Sequence, residues 1–125
     1  MNSICVYIPT HNRSGMLQRA LNSVLMQTFA ASEIIVVDDG SSDDTPAVLA
    51  DYQQRYPQLK VIRQDPAQGA CAARNKAIFA TECEYITGLD DDDEFAPEHL
   101  ATLNDAFDPQ YAFVSASLTE DTGKA

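Results

Sequence analysis

The chain has 125 residues, 45% of them hydrophobic and 22% charged, which suits one compact domain with a core of its own. Eight Lys and Arg against 19 Asp and Glu give a net charge of −11, which argues against a nucleic-acid backbone or an anionic membrane as the main partner. No apolar run approaches the roughly 20 residues that span a bilayer, and the N-terminus has no signal-peptide pattern, so membrane contact is expected only through parts of the protein beyond this chain.

The three cysteines, Cys5, Cys71 and Cys83, are spaced for neither a zinc site nor a disulfide framework. They read as reduced, mostly buried small apolar residues of a cytoplasmic protein, one that could sit peripherally at the inner face of the membrane.

Taken in order, residues 3–8 (SICVYI) are β-branched and apolar on both faces, the mark of a buried parallel strand that Pro9 should end. A polar loop, Thr10 to Arg13, leads to Ser14 as the expected N-cap of a helix with Met16, Leu17, Ala20, Leu21, Val24 and Leu25 on its stripe. Residues 33–37 (EIIVV) are a second buried strand. It runs into Asp38-Asp39-Gly40 and a segment rich in turn and cap residues. A helix follows over 46–56, then a strand over 59–63, a loop at 65–69 and an Ala-rich helix over 70–80 carrying Arg74. A fourth strand, 84–89, ends abruptly in Asp90-Asp91-Asp92-Asp93-Glu94, ahead of a helix over 97–107 and a fifth strand over 111–115. Strand and helix alternate throughout, so the expected fold is α/β and Rossmann-like, a mostly parallel sheet with helices on both faces. Neither the Gly-x-Gly-x-x-Gly fingerprint nor the Gly-Lys-Ser/Thr phosphate loop is present.

The acidic run is the centre of the reading. Adjacent aspartates repel and lack strand propensity, so they answer either to a solvated turn or to a divalent cation. Their position beyond a strand's carboxyl end is where open α/β sheets bind ligands. The loops 10–13, 38–43 and 90–94 would line one crevice if their strands are neighbours. That crevice would hold His11, Asp38, Asp39 and the carboxylates, with Arg13 and Arg74 close by. The set suits a nucleoside diphosphate: a carboxylate accepts from the uracil imide N–H, an imidazole stacks, an arginine forks onto phosphate, and a metal bridges to an Asp. Each residue also has a plain structural reading. Asp38 and Asp39 can make a turn with Asp43 or Asp44 capping a helix, His11 can be an exposed loop residue, Arg74 a surface cation and Gly69 a loop glycine.

Several stretches together resemble the nucleotide-sugar-binding half of family 2 glycosyltransferases of the GT-A fold. They are Ile8-Pro9-Thr10-His11-Asn12-Arg13, Ser23-Val24-Leu25-Met26-Gln27-Thr28, the run from Glu33 through Val37-Asp38-Asp39-Gly40 to Thr45, Gly69 with Ala73-Arg74-Asn75, and Leu89-Asp90-Asp91-Asp92-Asp93. The resemblance covers roughly residues 3–107. It implies an inverting transfer from a nucleotide-diphosphate sugar, most readily a UDP-sugar, to a saccharide or lipid-linked acceptor, with Mn²⁺ or Mg²⁺. By motif match, Asp39 takes the uracil contact, Thr10 meets the base through its backbone and Arg74 approaches the base or diphosphate. Asp91 reaches the ribose, and Asp92 ligates the metal at the end of an Asp-x-Asp motif that begins at Asp90. His11 stands where the family often has Tyr, and Asp91 where it often has Ser.

The resemblance also implies an acceptor-binding half that carries the general base. No carboxylate beyond Phe107 matches a base motif; Asp108, Glu120 and Asp121 are available without support. The chain is therefore expected to be a donor-binding domain from a longer enzyme, inactive in transfer by itself. Two competing readings are a sugar nucleotidyltransferase, which should carry a Gly-rich basic loop that residues 9–14 lack, and a nucleotide-sugar-binding module without catalysis.

Overall fold

The computed structural model describes residues 3–106. The strand expected at 111–115 and the carboxylates Asp108, Glu120 and Asp121 lie outside the described residues. Four strands, β1 (Ile4–Thr10), β2 (Glu33–Asp39), β3 (Leu59–Gln64) and β4 (Tyr85–Gly88), form one parallel sheet in the order β3-β2-β1-β4. Four helices, α1 (Ser14–Leu25), α2 (Thr45–Arg55), α3 (Ala70–Ala80) and α4 (His99–Ala106), alternate with them.

Period-2 alternation divides the sheet into two buried faces. Ile4, Val6, Ile8, Ile34 and Val36 pack with Leu17, Leu21 and Val24 of α1, Leu49 of α2 and Leu100 of α4. Cys5, Tyr7, Ile35 and Val37 point the other way and meet Ala73 and Ala77 of α3. Each Ile, Leu or Val so buried contributes about 1.5–3 kcal/mol. The small alanines let α3 lie close to the sheet.

Right-handed crossovers explain the layering. The chain steps from β1 to β2 to β3 in one direction, with α1 and α2 on one face. It then crosses back from β3 to β4, so α3 covers the opposite face. The direction reverses between β1 and β4, and the crevice at such a switch point is where ligands bind in open sheets.

Several expected boundaries move. Pro9 lies within β1, paired in register with Val37, instead of ending the strand. In a parallel ladder one residue's N–H and C=O face the same neighbour. The Tyr7 carbonyl accepts from the Leu89 N–H at 3.0 Å, so Pro9 turns its nitrogen to that side, where β4 has already ended. No ladder bond is lost. Ser14 is the first helical residue of α1 and Arg13 is its N-cap, without a side-chain capping bond. The cause is Asn12, whose φ of 52° turns the chain early enough for the Arg13 carbonyl to accept from Leu17 N–H at 2.8 Å.

At the far end, α4 starts at His99, two residues after the expected Pro97. Gln27 holds this junction: its Nε2 donates to the Ala96 carbonyl at 2.7 Å and its Oε1 accepts from Leu100 N–H at 2.8 Å. The cysteines are free, but only Cys5 is buried; Cys71 is exposed and Cys83 half-buried.

Candidate functional site

The site is assembled where β1, β2 and β4 end. β2 runs two residues further than its apolar stretch implies, through Asp38 and Asp39. Alternation then sends these neighbours to opposite faces. Asp38, 1% exposed, turns inward: Oδ1 accepts from the Ser41 N–H at 3.0 Å and Oδ2 pairs with Arg63 at 2.7 Å. It shapes the turn and is not among the residues lining the cleft. That separates it from the acidic pair the crevice was expected to hold.

Asp39 points toward the start of α3. Its Oδ1 accepts from Gln68 N–H at 2.6 Å and Gln64 Nε2 at 2.8 Å, and its Oδ2 from Gly69 N–H at 3.1 Å. Burial pushes this carboxyl up, but the two amides and the carboxamide outweigh it and hold the pKa below the ordinary carboxylate value. Asp39 therefore remains an acceptor-only anion. Gly69 does this from φ 95°, a conformation that favours glycine.

Gly40 connects the two aspartates to the turn at φ 72°, and a Cβ there would lie 3.0 Å from the Ala67 amide nitrogen. Gly40→Ala should therefore destabilise the protein by about 1–3 kcal/mol through strained backbone and displacement of the 67–69 loop. Urea unfolding measures this; an unchanged midpoint would show that the loop yields freely.

After β1, Thr10 Oγ1 donates to Asp91 Oδ2 at 2.9 Å, and Arg13 Nη1 donates to Asp91 Oδ1 at 3.2 Å. Asp91 is only 6% exposed, so the first and third loops are stitched together through it. Arg13 also lies 3.8 Å from Asp92 Oδ2. The His11 Nδ1 is 2.6 Å from the Asp39 carbonyl oxygen, which can only accept, so Nδ1 carries the proton. Nε2 is then free to accept from Asn12 Nδ2 at 3.3 Å.

Asn12 is a residue the sequence reading did not assign to the site. Its Oδ1 accepts from Ser42 N–H at 2.7 Å and Asp43 N–H at 3.2 Å, and its own N–H donates to Ser41 Oγ at 2.9 Å. It latches the first loop to the second. Asp43 contributes its Oδ1 to the Thr45 N–H at 3.0 Å, while Asp44, the N-cap of α2, makes no side-chain capping bond.

The acidic run folds back on itself through Asp93 N–H to the Asp90 carbonyl at 3.1 Å. This brings one carboxylate oxygen each from Asp90, Asp92 and Asp93 within 4.8 Å of one another. Asp90 and Asp92 are the expected pair; Asp93 is a third member, visible in sequence only as part of the run. Three carboxylate oxygens are the donor set of a hard divalent cation such as Mg²⁺ or Mn²⁺.

Pro9, Thr10, His11, Arg13, Asp39, Asp90, Asp91 and Asp92 line one open cleft of about 440 Å³. The structure thus brings together the expected site residues except Asp38, which is turned inward onto Arg63, and Arg74, which is exposed on α3; neither is among the lining residues. A cleft with an acceptor-only carboxylate and an oriented imidazole at one end and an oxygen cluster at the other can hold a flat hydrogen-bonding ring and a metal-bound anion together.

Comparison with known proteins agrees with this geometry. Residues 5–124 match the family described as "Glycosyl transferase family 2". A GalNAc(5)-diNAcBac-PP-undecaprenol beta-1,3-glucosyltransferase of Campylobacter jejuni is 37% identical over 115 residues, covering 91% of this chain and 37% of that protein. TarS of S. aureus, solved in complex with UDP and with UDP-GlcNAc, is 31% identical, with TM-scores of 0.73 and 0.74 over 82% of this chain and 32% and 31% of those chains. The mannosyltransferase PcManGT of Pyrobaculum calidifontis, at 24% identity and a TM-score of 0.79 over 86% of this chain and 33% of that one, shares the fold. The chain spans about a third of the length of these proteins.

Proposed function

We propose that this chain, which belongs to glycosyl transferase family 2 and has the GT-A type of α/β fold, binds the nucleotide-diphosphate sugar donor of an inverting glycosyltransferase, a UDP-sugar, with a divalent metal. The observation that carries this reading is the convergence of Asp39, His11 and the carboxylates Asp90 and Asp92, two of the three in the cluster, on one cleft at the switch point of the sheet. The UDP and UDP-GlcNAc bound by the TarS structures support the choice of nucleotide.

In this reading Asp39 accepts the uracil imide N–H, and the His11 ring, its tautomer set by the Asp39 carbonyl, stacks on the base. Thr10 meets the base through its backbone, Arg13 approaches the diphosphate from the cleft wall, and Arg74 approaches the base or diphosphate from α3. Asp91 approaches the ribose from the β1–β4 seam where Thr10 and Arg13 hold it. Asp92 and Asp90 would hold Mn²⁺ or Mg²⁺, with Asp93 available as a third ligand. A metal bound there supplies Lewis-acid stabilisation of the departing diphosphate. Transfer proceeds through an oxocarbenium-like transition state in which an acceptor hydroxyl, a saccharide's or a lipid-linked one, attacks in line with the leaving nucleotide. The general base that takes its proton belongs to an acceptor-binding half beyond these residues, and this domain by itself transfers little or no sugar.

Titration calorimetry with UDP in the presence of Mn²⁺ or of chelator tests the reading. UDP should bind at least about tenfold more tightly with metal, a difference of roughly 1.4 kcal/mol. Equal affinity in both conditions would overturn the metal role, and failure to bind UDP at millimolar concentration would overturn the donor reading.

A further inference from the structure

We infer that Gln64 is a positioning residue for nucleotide recognition: its carboxamide aims the Asp39 carboxylate at the base without touching the ligand itself. The inference rests on the reading of Asp39 as the acceptor for the uracil imide.

Gln64 and Asp39 are register partners at the ends of β3 and β2. Partners in adjacent strands project to the same face about 5 Å apart, a gap that a glutamine side chain spans. Gln64 Nε2 donates to Asp39 Oδ1 at 2.8 Å. The reverse amide orientation would set two acceptor oxygens against each other, so chemistry fixes which end faces Asp39.

Gln64 is 1% exposed, and its Oε1 has no hydrogen-bonding partner among the described residues. A buried carbonyl left unpaired is unfavourable, and an apolar side chain of similar size would avoid it. The side chain is therefore explained by what its other end does. The backbone amides of Gln68 and Gly69 come from a loop, whereas Gln64 stands on the sheet. It is the one donor among the three that stands on the sheet, and it fixes the carboxylate's rotation so that the remaining lone-pair site, on Oδ2, faces the cleft.

The experiment compares UDP with N3-methyl-UDP, which lacks the imide proton, on the full-length protein with Mn²⁺ present. The wild type should prefer UDP by at least about tenfold. Gln64→Met, which conserves length and volume, should weaken UDP about tenfold, leave N3-methyl-UDP unchanged and so erase the preference. A general structural defect would weaken both ligands equally and overturn the inference, as would a retained preference in the variant. A wild type without preference would overturn the reading of Asp39 itself, a separate outcome. Should Gln64→Met not fold, NMR of the wild type decides: the Gln64 side-chain amide signals should shift as Asp39 titrates, and signals that stay constant would overturn the inference.

Discussion

Asp92→Ala should abolish the manganese-dependent part of UDP binding while leaving the fold intact. Asp92 is half-exposed, and its only described partner is Arg13, at 3.8 Å and itself about half-exposed. Such a pair contributes little to stability, so its loss is not a folding defect. What the carboxylate does is electrostatic. With Asp90 and Asp93 it forms a cluster of like charges within 4.8 Å. In the metal-free protein these repel, and removing one should leave thermal stability unchanged or raise it slightly. With Mn²⁺ the sign reverses: the wild type should gain stability by mass action and the variant should not. The affinity of UDP measured with Mn²⁺ should fall at least about tenfold in the variant, to the level measured in chelator. Glu94→Ala, which removes an equal charge outside the three-carboxylate set, should change neither. If Asp92→Ala binds UDP as the wild type does with metal present, these carboxylates form a solvated turn and the cation reading ends.

That contrast between a turn and a ligand site marks how far the sequence could be read. The strands of the sheet's centre were legible because 4–8 and 33–37 are apolar on both faces, as only a strand buried on both sides requires. The crossovers followed from helical stripes of adequate length. The sheet order did not: nothing in the periodicity of 85–88 says that it lies beside β1 and not beside β3. That placement is what turns three separate polar loops into one cleft.

The parity of Asp38 and Asp39 was also hidden. They read as a pair until two further residues of strand send one into the Arg63 contact and the other to the cleft. Gln64 and Asn12 were invisible for a related reason. Each is a common polar residue at a strand end or in a loop, and its work depends on a partner about 25–30 residues away. Asp93 was legible as a charge but not as a member of a three-carboxylate set. That depends on the backbone turn from Asp93 N–H to Asp90 O.

Replacing Asn12 by alanine should damage stability and nucleotide binding together, by two separable routes. The residue sits at φ 52°, where asparagine is tolerated and alanine costs about 1–2 kcal/mol. Its Oδ1 also accepts from Ser42 N–H and Asp43 N–H, each bond contributing about 0.5–1.5 kcal/mol net. The sum of roughly 2–5 kcal/mol is a large fraction of the stability of a domain this size.

Substitutions divide the two routes. Asn12→Gly keeps the backbone conformation and loses the side-chain bonds, so it should recover part of the loss. Asn12→Asp keeps the accepting oxygen and should keep more of the stability. It loses the Nδ2 donor that faces His11 Nε2 and adds a negative charge next to Asp43, so its UDP affinity should still fall. The order expected in urea unfolding is therefore wild type, then Asp, then Gly, then Ala. The order expected in UDP affinity puts Asp with Gly, well below wild type. If all three variants unfold with the wild type, the two loops are held by their strands alone. The geometry of the cleft would then owe nothing to the side chain that joins them.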